Sequence, residues 1–171
     1  EMRFPEYTLT PLCYRSRKDF FVTASLYVPR GRGPFPAVVG MHGHLSDGRL
    51  AEKSQGIAIR LVKSGYVVLF VDAFGSGERA PKHGSSGGGN QTMYLAAFDK
   101  RIKASVPVVS VGSYQSYVGG ANCICELIPD GLMICEESAL LALAAPNAVM
   151  VCNALHDINH TFYVAEAARS C

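Results

Sequence analysis

Four short apolar runs, each bounded by turn residues and separated by segments of helical spacing, constrain this chain most. They are Ala37-Val38-Val39-Gly40-Met41, Tyr66 to Val71, Ala104 to Val111, and Ala148 to Cys152. A short continuous apolar run is the mark of a strand covered on both faces. Between the first two runs, residues 50–64 set Ile57, Ile59, Leu61 and Val62 at helical spacing, and Gly65 follows as a C-cap. Residues 90–98, 136–143 and 161–169 read as further helices. Strands alternating with helices predict an α/β fold, with a mostly parallel sheet flanked by helices and right-handed connections. Ahead of it, residues 6–14 and 20–28 are rich in β-branched and aromatic side chains and read as an antiparallel pair divided by Arg15-Ser16-Arg17-Lys18-Asp19. The 171 residues match the length of one domain, taken as 1–171.

In such a sheet, ligands bind beyond the carboxyl ends of the strands. The polar residues fall there. Met41 leads into His42-Gly43-His44, Val71 into Asp72-Ala73-Phe74-Gly75-Ser76-Gly77-Glu78-Arg79, and Cys152 into Asn153-Ala154-Leu155-His156-Asp157.

A second feature carries chemistry. Gly84, Ser86 and Gly88 fit the G-x-S-x-G pattern of a nucleophile elbow, in which small neighbours permit a turn tight enough to expose the serine hydroxyl. The helix-like run from Asn90 to Phe98 would aim its positive dipole end at an oxyanion formed there. The plainer reading of Gly84 to Gly89 is a flexible Gly/Ser linker. A phosphate loop would need a lysine that the stretch lacks.

Composition narrows the remaining classes. Sixteen Lys and Arg against fourteen Asp and Glu give a net charge of +2, which supplies no reason to expect nucleic acid or an anionic membrane as partner. No apolar run approaches the length of a transmembrane helix. The chain begins at Glu1 with no cationic and apolar leader, so it reads as mature or trimmed, and its compartment stays open. Cys123 and Cys125 form C-x-C, with Cys13, Cys135, Cys152 and Cys171 scattered. Without paired C-x-x-C units they read as buried free thiols that behave as small hydrophobes. His42 and His44 form H-x-H but have no evident third ligand, so neither a metal nor another cofactor is expected. Tyr94, Tyr114 and Tyr117 are either pocket-lining or ordinary half-buried aromatics.

Taken together, Pro36 to His44, Val71 to Arg79, Ser86 to Thr92 and the run ending at His156-Asp157 resemble, in order, the α/β-hydrolase superfamily, and within it the acetyl xylan esterase-like serine esterases. The resemblance implies Ser86 as nucleophile and Asp157 as the acid of a triad. It implies the N–H groups of Gly87 and His44 as the oxyanion hole, and Asp72 and Arg79 as the wall of the site. Asp157 has a rival reading as an N-cap for the helix at 161–169. In the family a strand and a crossing helix precede the elbow, and the catalytic histidine follows the acid. Here Arg79 runs almost directly into Gly84, so a strand-plus-helix unit is expected to be absent near residues 82–85. The histidine is expected beyond Cys171. His160 is the substitute within the chain, although a side chain three residues from Asp157 is poorly placed to touch both acid and serine.

The expectation is a serine carboxylesterase that hydrolyses small-acyl, acetyl-type esters, with a small-molecule or carbohydrate ester as its partner. The alternatives are a degenerate hydrolase that only binds, or a serine peptidase of the same superfamily.

Overall fold

The computed structural model describes residues 1–73, 75–79, 87–114 and 130–153, leaving aside the side chain of Leu132. The chain divides into two compact units, Glu1–Ser85 and Ser86–Cys171.

The first unit is built on a five-stranded mixed sheet. Its strands are β1 (Met2–Arg3), β2 (Tyr7–Arg17), β3 (Phe20–Pro29), β4 (Ala37–Gly40) and β5 (Val67–Val71), in spatial order β1-β2-β3-β5-β4. β1–β2, β2–β3 and β3–β5 are antiparallel, whereas β4 and β5 run parallel. The expected antiparallel pair is therefore present, and its strands run almost to the turn. Asp19 takes a φ of 56°, and the register slips between Arg15 and Arg17.

The parallel pair needs a crossover, and α1 (Glu52–Lys63) supplies it. Ser54, Ala58 and Val62 recur every four residues and form its buried face. Ala58 and Val62 pack with Tyr7, Tyr27, Val68 and Phe70 into one core, and Ile59 and Leu61 lie at its margin. Ile57, expected on the apolar face, is 52% exposed, because the helix turns the 54–58–62 stripe to the sheet instead. The end of α1 is well determined by sequence. The Gly65 N–H donates to the Val62 carbonyl and the Tyr66 N–H to the Leu61 carbonyl, with Gly65 at a φ of +90°. That is the Schellman arrangement, for which glycine carries no Cβ penalty.

β5 alternates half-buried and buried residues, with Val68 and Phe70 facing the core. β4 departs from the expectation of a strand covered on both faces: Ala37 is exposed and Val39 is 48% exposed. Among the described residues β4 is the outer strand of the sheet, and burial depends on neighbours as well as on composition.

In the second unit, α2 (Gly88–Phe98), α3 (Gly131–Ile134) and α4 (Glu137–Leu143) accompany a small parallel pair, β6 (Ala104–Ser105) and β7 (Ala148–Val149). Met93, Ala97, Val111, Tyr114 and Leu140 form its core. The runs 104–111 and 148–152, expected as buried strands, are each ordered as strand for two residues only. Val106, Val108, Met150 and Val151 are 40–61% exposed. The pairing stops early because Pro107 cannot donate to a ladder and Val109 adopts a φ of 51°, its N–H bonded to the Cys152 carbonyl. The helix read at 136–143 is present. The one read at 161–169, and the candidate gap at 82–85, lie outside the described residues.

The cysteine expectation needs correcting. Cys13 and Cys152 are exposed and Cys135 is half-buried, all three as free thiols. Cys13 alternates outward on β2, and Cys152 sits where the short β-pairing ends. Cys123, Cys125 and Cys171 lie outside the described residues.

Candidate functional site

In the first unit, β4 and β5 end side by side, so the segments after Gly40 and Val71 emerge at one edge of the sheet. The two segments are laced together. The His42 ring is buried, and its Nδ1 lies 2.8 Å from the Gly43 carbonyl while the Ala73 N–H donates to its Nε2 at 3.1 Å. A ring that accepts at Nε2 carries its proton on Nδ1, which then donates to Gly43. The Gly77 N–H donates to the Ser46 carbonyl at 3.0 Å. His44 itself is exposed.

Asp72 occupies the centre of this edge and is 1% exposed. Its Oδ2 accepts from the Thr23 hydroxyl at 2.7 Å and from the Arg49 guanidinium, and its Oδ1 accepts from the Arg49 backbone N–H at 2.8 Å. His42 Nε2 lies 3.7 Å from Oδ1. Burial alone would raise the carboxyl pKa. The His42 ring, the Arg49 amide, the Thr23 hydroxyl and the guanidinium charge outweigh it and hold the carboxyl well below the usual carboxylate range. Asp72 thus points into the fold and is committed to it.

Arg49 is 3% exposed and spans three elements. Besides Asp72 at the end of β5, its Nε donates to Ser25 Oγ on β3 at 3.1 Å, and its remaining nitrogen pairs with Glu78 in the 3₁₀ turn Gly77–Arg79. The backbone leaves room for this pair. A Cβ at Gly48 or Gly77, at φ of +56° and +57°, would run into the Asp72 carboxylate. Arg79 is half-buried, donates to the Asp72 carbonyl at 2.8 Å, and lays its guanidinium 4.9 Å from the centre of the Phe20 ring. Arg49, Thr23, Ser25 and Glu78 were not singled out from the sequence. The signal that points to them is a carboxylate at the end of a buried strand, which requires a buried cation.

In the second unit, Gly87 is buried and caps α2, with its carbonyl accepting the Gln91 N–H at 2.8 Å. Gly89 faces Ser110 and the Val108 carbonyl so closely that a Cβ would strike both. Beyond β6, the Gly112 N–H donates to buried Glu137 at 2.6 Å and the Tyr114 N–H to Glu136 at 2.8 Å. Tyr114 is 2% exposed within the core and shares a 2.7 Å hydrogen bond with Tyr94. Burial, then the Tyr94 hydroxyl, pushes the Tyr114 phenol far above its usual value. Tyr114 therefore packs rather than lining an open pocket.

Ser86, Asp157, His156, His160 and Tyr117 lie outside the described residues. Among the described residues no three His, Cys, Asp or Glu side chains gather as metal ligands, and no helix is long and apolar enough to cross a membrane.

No protein-family model matches the sequence, and comparison with curated proteins gives no match. Solved structures do match. Methylesterase BT1017 aligns with a TM-score of 0.73 and 24% identity over 92% of this chain and 44% of its own length. A putative acetyl xylan esterase, BF1801 from Bacteroides fragilis NCTC 9343, aligns with a TM-score of 0.71 and 16% identity, over 88% of this chain and 60% of its own. The α/β hydrolase GrgF from Penicillium sp. sh18 aligns with a TM-score of 0.67 and 14% identity, over 95% and 86%. The chain spans less than half of the first protein and three fifths of the second. At these identities the likeness speaks for architecture, and the expectation drawn from the sequence is borne out: the chain has the α/β-hydrolase fold.

Proposed function

We propose that the chain is part of a serine carboxylesterase that hydrolyses small-acyl esters, carbohydrate esters among them, through an acyl-enzyme. The observation that carries this reading is the start of α2. The helix begins at Gly88 and runs eleven residues, so a helix N-terminus follows Ser86 of the G-x-S-x-G pattern within two residues. Amides and a positive dipole end there suit the negative oxygen of a tetrahedral intermediate. The printed names of the structural neighbours, a methylesterase and a putative acetyl xylan esterase among them, favour ester hydrolysis over the other chemistries of the fold.

In this reading Ser86 Oγ attacks the ester carbonyl carbon while a histidine takes its proton. Asp157 orients that histidine and stabilises its charged form. The sequence places the histidine beyond Cys171, with His160 as the alternative. The N–H groups of Gly87 and His44 receive the developing oxyanion. Collapse of the intermediate expels the alcohol, which takes the proton from the histidine. Water then attacks the acyl-serine by the same route in reverse. Asp72 and Arg79 act from behind, by shaping the strand-end loops that border the site.

The reading treats residues 1–171 as one hydrolase domain lacking a strand-plus-helix unit near 82–85. The half-exposed Val39 on the outer strand supports this. A peptide map that reads through 79–88 without extra residues would count against it.

Replacing Ser86 by Ala should abolish hydrolysis of p-nitrophenyl acetate. Undiminished turnover in that variant would overturn the assignment.

A further inference from the structure

We propose that Arg49 is a positioning residue: through Asp72 it fixes the His42–His44 loop so that the amide offered to the oxyanion stays in place. The inference rests on the esterase reading above and goes beyond it, because Arg49 belongs to none of the strand-end motifs.

Every contact of Arg49 joins the loop to something rigid. Its backbone N–H and its guanidinium both hold Asp72 at the end of β5. Nε reaches Ser25 on β3, and the far nitrogen reaches Glu78 in the turn that follows β5. The loop is then drawn onto the same turn by the Ala73 N–H to His42 Nε2 and the Gly77 N–H to Ser46. Within the loop, the Leu45 N–H donates to Gly43 and the Gly48 N–H to Leu45, so that its backbone is folded on itself between the His42 and Arg49 anchors. A planar fork that can donate in three directions is what this geometry needs, and a lysine ammonium lacks that fixed plane. Gly48 and Gly77, both at positive φ, leave the carboxylate its space. Removing the fork frees the Arg49 end of the loop and leaves the His42 end tied. The amides between them, including that of His44, then move relative to β5. Oxyanion donors act because they are fixed before the reaction, so a mobile amide stabilises the transition state less while substrate binding elsewhere is unaffected.

The test uses the whole chain in two variants. Arg49→Lys keeps the charge and loses the fork. Arg49→Met combined with Asp72→Asn removes charge from both partners, which guards against a fold lost to one uncompensated buried ion. Hydrogen exchange read by mass spectrometry should show the amides of 43–48 exchanging at least about tenfold faster in both variants, with the amides of β2 and β3 unchanged. With p-nitrophenyl acetate, kcat should fall at least about tenfold while KM stays within about twofold. A merely structural role would not give that split. Unchanged exchange at 43–48 in both variants overturns the positioning role. Faster exchange with kcat unchanged also overturns it, because the loop would then be loose without consequence for the reaction. A wild-type protein that hydrolyses no ester overturns the esterase reading instead, and the exchange result still decides whether Arg49 fixes the loop.

Discussion

Asp72→Ala is the most informative single change to the fold. The carboxylate accepts from the Thr23 hydroxyl, the Arg49 amide and the Arg49 guanidinium while 1% exposed. Its loss leaves a guanidinium that is itself 3% exposed with Ser25 and Glu78 as its remaining side-chain partners, and the Glu78 side chain is 57% exposed. Breaking a buried ion pair from one side costs about 3–5 kcal/mol. The orphaned hydroxyl and amide add about 1–3 kcal/mol each if they stay dry, though these effects overlap and do not sum. Some is returned because the carboxylate no longer has to be desolvated. The expected loss is therefore about 3–5 kcal/mol, a large part of the roughly 5–15 kcal/mol of a domain. At a urea slope of about 2 kcal/mol per molar, the unfolding midpoint read by circular dichroism should fall by about 2 M. The double variant Arg49→Met with Asp72→Asn should lose less than Asp72→Ala alone, because neither ion is left stranded. A midpoint within about 0.3 M of wild type for Asp72→Ala, or a double variant worse than the single, would refute the reasoning about this pair.

The same carboxyl gives a pH prediction. Its folded pKa lies below the unfolded value of about 3.9, so its contribution is complete above that value and is lost as pH falls through and below it. The stability gap between wild type and Asp72→Asn should be constant from pH 7 to 5 and shrink by about 1.4 kcal/mol for each unit below about 4; a gap undiminished at pH 3 would contradict this. Gly65→Ala should cost about 1 kcal/mol in urea unfolding. Nothing lies within 4 Å of the added Cβ, so the penalty is that of the backbone at a φ of +90° and nothing more. Gly89→Ala should cost about 1–3 kcal/mol, because the Cβ meets Ser110 and the Val108 carbonyl, and Ser110→Gly should relieve part of it in the double variant.

The elements that could be read from sequence are those whose signal is local. The 20–28 strand, α1 and its Gly65 cap, and the 136–143 helix each carry their own periodicity or cap, and each is present. The strand-end clustering was also legible, since parallel strands put His42 and Asp72 at one edge. What did not follow was burial. Val39, Val108 and Met150 look like core residues by composition, yet they are exposed, because a strand is covered only if something packs beside it. Buried charge was equally hidden. Arg49 sits in a Gly/Asp/Arg loop and Glu137 at a helix start, both ordinary surface contexts, and only the folded chain brings Asp72 to one and the Gly112 N–H to the other.

The most direct measurement is fluorophosphonate labelling of the intact protein, with the modified peptide located by mass spectrometry. An ordinary serine hydroxyl does not react, whereas one activated by a base and an oxyanion hole does. The account predicts a single adduct on Ser86, absent in Ser86→Ala. No adduct, or an adduct on another residue while Ser86 stays unmodified, would contradict it.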